Sequence, residues 1–223
     1  MDSETILSCT DAASVQSGVP RLTLITAADR YSGEAFFEAV EQALAGGVDA
    51  VLVREKKLDS ARLLAFASRL RQMTRDSYAR LIIHTQVDVA EAVDADGIHL
   101  ASSAIHSVSV LRQWPGHAGK TVSVSCHDAA ELQQAAAYGA DYAMLSPVFA
   151  TRSHPGAPPL GVENFDALVS ESTLPVIALG GIGTDNCNAL QGSRIAVIGA
   201  ILGADDPYLV AQQLFAATGG GVK

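Results

Sequence analysis

Cysteine is scarce in this chain of 223 residues: there are three, Cys9, Cys126 and Cys187, far apart and with no CxxC pair. That spacing argues against a disulfide framework and against a structural zinc site, and it fits a reducing cytoplasm. Basic residues are also in short supply, 15 against 24 acids, for a formal net charge of −9. Nucleic acid and anionic membrane both call for a basic surface, so neither is expected as a partner; a local basic pocket for a phosphate stays open. Long hydrophobic runs are missing too, the longest lying around 195–202, far short of a bilayer span. The first 20 residues are acidic and have no apolar h-region, so they do not read as a signal or transit peptide. Segment 1–20 shows no clear periodicity and is expected to be a loose tail, or else a cap on one end of a barrel.

What is present is ordinary globular composition, 48% hydrophobic and 17% charged, which excludes disordered and collagen-like chains. Eight short, mostly apolar and β-branched runs recur, at 22–26, 50–54, 80–84, 97–100, 121–126, 142–147, 175–179 and 195–199. Continuous runs such as VLV, LII and VIAL suit parallel strands covered on both faces. Helical spacing fills the gaps at 34–45, 60–73, 128–138 and 205–216, with a barely two-turn piece at 88–93. Eight strands alternating with eight short helices predict a single-domain (β/α)8 TIM barrel over 21–218, near the lower size limit of that fold. A doubly wound open sheet is the rival, but no GxGxxG follows the first strand, so its dinucleotide-binding form loses weight.

In a (β/α)8 barrel the chemistry sits at the C-terminal ends of the strands. That rule selects Arg54 and Lys56 after the second strand, His84 at the end of the third, Ser125 and His127 at the end of the fifth, and the loop Thr151-Arg152-Ser153-His154 after the sixth. It also selects Gly180 and Gly181 after the seventh strand and Gly199 and Ala200 after the eighth. Glycine lets backbone N–H groups approach an anion, and barrels commonly hold a phosphate between these last two loops; a tight turn needing glycine is the competing reading. A rim of Arg54, Lys56, Arg152 and several histidines on an acidic protein suits an anionic small molecule. Lys57 reads as a solvated helix start, and His99, inside an apolar strand, as a hydrogen-bonded barrel histidine. No HExxH and no repeated His/Cys spacing supports a tight metal site.

The blocks LITA, VLVREK, LIIHTQVDVAEAVDADGIHL, GADYAMLSPVFATRSHPG, LPVIALGGI and RIAVIGAI occur in this order. Together they resemble the thiamine phosphate synthase/TenI superfamily over essentially the whole chain after the tail. The phrase SCHDAAEL with SPVFATRSHPGAPPLG is most similar to TenI-like domains appended to Nudix hydrolases. The resemblance implies a phosphorylated small-molecule ligand, allows a homodimer, and suggests a functional link to a Nudix hydrolase. Synthases of the family join a hydroxymethylpyrimidine diphosphate to a thiazole phosphate, with magnesium on two carboxylates and pyrophosphate on basic groups. Their Gln-x-Arg-x-Lys appears here as Leu52-Val53-Arg54-Glu55-Lys56, keeping the two cations. Their Asn-Asp pair is His84-Thr85, and their second carboxylate is replaced in Ala101-Ser102-Ser103-Ala104-Ile105. Ser125 matches the family's strand-5 serine, Thr-x-Thr-Lys becomes Thr151-Arg152-Ser153-His154, and Gly180, Gly181 and the Gly199-Ala200 turn match the thiazole-phosphate site.

With both carboxylates gone, no cofactor is expected, magnesium entering only if its ligands have moved. The resemblance then points to a phosphorylated thiazole or thiamine phosphate as ligand and to metal-independent, tautomerase-like proton transfer. His154, His84 and His127 are the acid–base candidates. A genuine synthase with relocated metal ligands and a non-catalytic phosphate-binding protein are the alternatives.

Overall fold

The computed structural model describes residues 18–151, 156 and 158–219. Eight parallel strands close into a barrel in sequence order: β1 Leu22–Ile25, β2 Ala50–Val53, β3 Arg80–His84, β4 Gly97–Leu100, β5 Thr121–Cys126, β6 Tyr142–Leu145, β7 Val176–Leu179 and β8 Arg194–Val197. β8 pairs with β1 in the register Leu22 to Ile195, which closes the ring. The (β/α)8 expectation holds, and each strand lies within the span its apolar run marked except β8, which begins one residue earlier, at Arg194.

The helices are α1 Glu34–Ala45, α2 Ser60–Asp76, α3 Val87–Ala92, α4 Val108–Gln113, α5 Ala129–Ala137, α6 Gly161–Glu171, α7 Gly199–Leu202 and α8 Pro207–Ala217. They do not alternate as strictly as the sequence rhythm suggests. Only a 3-10 turn, Cys187–Leu190, follows β7, while two helices, α7 and α8, follow β8. Asp59, Asp128 and Asp206 cap α2, α5 and α8 by accepting the N–H of Arg62, Glu131 and Leu209, each at 2.9 Å.

Side chains alternate along each strand. Leu24, Val51, Leu81, Ile83, Ile98, Val122 and Leu145 face the helices. Ile25, Leu52, Ile82, Tyr142, Met144 and Ile177 fill the barrel interior. Val19, within the stretch expected as tail, packs into that interior from below, and Arg194 donates to its carbonyl at 2.7 Å. Of the segment 1–20, expected as a loose tail or a cap on one end of the barrel, residues 1–17 lie outside the described residues.

The lower rim is stitched by an aspartate placed just before alternate strands. Asp49 accepts the N–H groups of Arg21 and Leu22, Asp96 that of Leu81, and Asp141 that of Val122. Each thus ties the strand it precedes to the previous one. Arg71 pairs with Asp96 at 2.7 Å and Arg112 with Asp141. This end of a barrel serves stability and leaves the opposite end free for chemistry.

Candidate active site

At the C-terminal ends of the strands lies a cavity of about 810 Å³. The strand period explains who enters it. Leu52 faces inward, so Arg54 and Lys56, two and four residues on, line the cavity, while Glu55 points away and accepts the Ala28 N–H at 2.9 Å. His84, Ser125 and His127 line it from β3 and β5, and Thr151, Gly180 and Gly181 from the loops after β6 and β7. Gly199 and Ala200 line it after β8. Of the candidates from sequence, Arg152, Ser153 and His154 lie outside the described residues. Sequence reasoning missed Arg30 and Tyr31, which enter from the loop after β1. Lys57, expected as a solvated residue, is exposed and pairs at the surface with Asp29 at 3.0 Å.

His99 is the buried, hydrogen-bonded barrel histidine its position suggested. Its Nδ1 lies 2.8 Å from Ser123 Oγ and its Nε2 2.8 Å from Ser125 Oγ. Ser123 donates to the Ile98 carbonyl at 3.4 Å, so it accepts the His99 Nδ1–H. Nε2 then accepts the Ser125 hydroxyl, which turns the Ser125 lone pairs toward the cavity, ready for an N–H donor such as an exocyclic amine. Burial holds the His99 imidazole down at about 3.

His84 sits edge-on to His99 with ring centroids 5.9 Å apart, and its buried Nδ1 has no hydrogen-bond partner. Burial first, then the charges of Arg54 and Lys56, push its pKa down to about 4, so it is neutral at pH 7 and has no proton to give. His127 is oriented by its Nδ1, which donates to the Ser146 carbonyl at 2.7 Å. Of the three acid–base candidates, His84 and His127 share the mouth, and only His127 is held as an oriented ring at its edge.

Gly180 and Gly181 have φ of +102° and +67°. A Cβ on Gly180 would stand 2.8 Å from Pro147 Cα, and one on Gly181 2.4 Å from the Ala150 carbonyl oxygen. Backbone packing between the loops after β6 and β7 therefore requires glycine here. Gly181, Gly199 and Ala200 line the cavity, and their N–H groups donate to no other described residue.

Magnesium, which the family resemblance implies, does not suit this donor set. No aspartate or glutamate lines the mouth among the described residues, and hard Mg²⁺ prefers carboxylate and water oxygens. Thr85 and Ala104, where the family carries its acids, lie outside the lining. Among the described residues no three His, Cys, Asp or Glu side chains gather closely enough to hold a metal ion.

Fold and mouth together define a (β/α)8 barrel with a cationic cavity at the C-terminal ends of its strands. The family model described as thiamine monophosphate synthase matches residues 22–202. The thiamine-phosphate synthase of Chloroflexus aurantiacus is 36% identical over 198 residues, 87% of this chain and 90% of its own. That of Archaeoglobus fulgidus is 35% identical over 190 residues, 83% of this chain and 88% of its own. A solved thiamine phosphate pyrophosphorylase from Pyrococcus furiosus superposes with a TM-score of 0.77 at 31% identity, covering 89% of this chain and 95% of that one. The chain belongs to the thiamine monophosphate synthase family. A 3-hexulose-6-phosphate synthase, TM-score 0.70 at 22% identity, shares the fold alone. No helix among the described residues is long and apolar enough to cross a membrane.

Proposed function

We propose that the mouth condenses a hydroxymethylpyrimidine diphosphate with a thiazole phosphate to give thiamine phosphate and diphosphate. The observation that carries this reading is the charge of the mouth. Arg54 and Lys56 line it with no ion-pair partner among the described residues, while most cations elsewhere on this acidic chain are paired. Unpaired cations converging on a cavity suit a ligand with several negative charges. The relatives described above are synthases by name, which favours condensation over the proton transfer that the sequence alone suggested.

In this reading the bond between the pyrimidine methylene carbon and the diphosphate oxygen breaks, and its electron pair leaves with the diphosphate. The thiazole nitrogen then donates its lone pair to the methylene carbon, and no proton is moved. Arg54 and Lys56 stabilise the departing charge, the Ser125 oxygen accepts the pyrimidine amine, and the N–H groups of Gly181, Gly199 and Ala200 hold the thiazole phosphate. Thr151 lines the same end of the cavity. The test is turnover with both substrates, in magnesium and in EDTA, with thiamine phosphate as the readout. Thiamine phosphate formed in either medium supports the reading, and none in both overturns it.

A second reading is favoured by one observation, the oriented His127 in a mouth whose described lining has no carboxylate. There the protein would tautomerise a thiazole carboxylate phosphate by moving a proton at His127 Nε2, with no metal. Rearrangement of that substrate, without condensation, would select it. Binding of thiazole phosphate with neither reaction would leave a phosphate-binding accessory protein. A tie to a Nudix hydrolase rests on the sequence block around His127 alone.

A further inference from the structure

Between the two phosphate-facing regions of the mouth lies a loop that the strand-end rule did not select. In the barrel β1 stands between β8, which carries the Gly199 turn, and β2, which carries Arg54 and Lys56. The loop after β1 is fixed at both flanks. Ala28 donates its N–H to Glu55 Oε1 at 2.9 Å, and Asp29 pairs with Lys57 at 3.0 Å, which docks the loop on the segment after β2. On the other flank the Tyr31 hydroxyl lies against α7, where a Cβ on Gly199 or Gly203 would come within 3.3 or 3.0 Å of it. Arg30, between these two anchors, lines the cavity; its N–H donates to the Ala27 carbonyl at 3.0 Å, and its side chain makes no hydrogen bond or ion pair to a described residue.

We infer that Arg30 is a third cation of the diphosphate subsite, and that Arg30, Arg54 and Lys56 together take the charge that a carboxylate-held divalent ion would otherwise neutralise. The inference rests on the condensation reading and names how its leaving group is stabilised. Its basis is the donor set. The described lining offers cations, hydroxyls and imidazole rings but no acid, which is a set for an anion and not for a hard cation. Two guanidinium groups add planar, forked donors that match phosphate oxygens, and an ammonium adds a compact charge. Burial first, then the charges of Arg54 and Lys56, keep the His84 ring neutral, so it adds no charge of its own to the mouth. Loop docking matters here because it fixes the Arg30 backbone beside the cavity, so the loop itself loses little freedom when the ligand binds.

The experiment is calorimetric titration of the full chain with inorganic pyrophosphate in EDTA, on the wild type, Arg30→Ala, Arg30→Lys and Arg62→Ala. Arg62 is a surface cation paired with Asp59 on α2, away from the mouth, and serves as the charge control. Metal-free binding is expected, weakened about 10- to 100-fold by Arg30→Ala, less by Arg30→Lys, and unchanged by Arg62→Ala. The Arg30 side chain is exposed and makes no hydrogen bond or ion pair to a described residue, so the thermal midpoint of Arg30→Ala should match the wild type. Binding that appears only when magnesium is added, or that ignores Arg30, overturns the inference. Turnover separates it from the synthase reading. Magnesium-dependent thiamine phosphate formation indifferent to Arg30 would leave that reading standing and remove this one. Arg30-dependent, metal-free pyrophosphate binding without condensation would do the reverse.

Discussion

Lowering the pH from 7 to 5 should weaken the fold through one side chain, His99. In the folded chain its ring is sealed inside the barrel with both nitrogens on serine hydroxyls, and burial, then the charges of His84 and Arg54, hold its pKa at about 3. In the unfolded chain it returns to the ordinary value of 6.5. The depressed folded value means that the unfolded chain takes up a proton first. Stability is full above 6.5 and is lost as the pH falls toward 3. Between pH 7 and 5 this single histidine removes about 2 kcal/mol, near 1.4 kcal/mol per unit once below 6.5. His84, depressed to about 4 for the same first cause, adds a loss of the same sign, reduced by its partial exposure. The assay is urea unfolding at a series of pH values on the wild type and on His99→Asn, whose amide can still donate to one serine and accept from the other but does not titrate. Carboxylates titrate in both proteins and drop out of the comparison. The wild type should fall about 2 kcal/mol further than the variant over this range. Parallel pH profiles would show that His99 is not held neutral by burial and would refute the argument.

Four shorter expectations accompany it. Gly180→Ala forces a Cβ to 2.8 Å from Pro147 Cα at a φ of +102° and should cost about 2–4 kcal/mol, read as a lowered thermal midpoint; an unchanged midpoint would sink the packing argument. Thr85 is a β-branched residue at φ +60°, so Thr85→Asn should raise urea stability by about 0.5–1 kcal/mol, and a loss would show that the Thr85 hydroxyl bond to the His84 carbonyl outweighs the strain. Asp96→Ala removes the acceptor of the Leu81 N–H and leaves Arg71 without its main partner, a loss of about 2–3 kcal/mol by the same assay, with a neutral result excluding the rim stitching. Arg54→Ala should raise the KM for the diphosphate substrate about 10- to 100-fold while leaving that for thiazole phosphate near the wild type, and equal effects on both would refute separate subsites.

The barrel was legible in the sequence because its strands are apolar on both faces and short, and each is bounded by a turn or cap residue. The run at 50–54 became β2 Ala50–Val53, and α1 Glu34–Ala45 fell on the span its apolar spacing marked. Where the reading failed, tertiary contacts had overridden local pattern. The segment after β7 forms only the turn Cys187–Leu190, fixed by Asn186, whose side chain accepts the Gly183 N–H and donates to the Gly181 carbonyl. A local network that spends the backbone groups this way leaves no helix to propagate, and no periodicity announces it. Val19 packs against the barrel interior, in a segment for which the sequence left both a loose tail and a barrel cap open, since one apolar residue has no pattern to belong to.

The site was legible to the extent that strand period and strand end determine it. Arg54, Lys56, His84 and Ser125 continue the inward alternation of Leu52, Ile82 and Ser123, so counting by two carries them into the mouth. Arg30 and Tyr31 lie five and six residues beyond Ile25, after the period has ended, and nothing local says where they point. Their placement depends on Glu55, which the alternation correctly turns away from the cavity and which for that reason is free to take the Ala28 N–H. The acid beside the two cations of β2 is therefore no rival for a metal. It anchors the neighbouring loop, and the loop in turn brings Arg30 to the cavity. A lining without carboxylates and a docked loop that carries Arg30 are two sides of one electrostatic arrangement, which leaves the mouth of an acidic protein with positive charge and so favours an anion there.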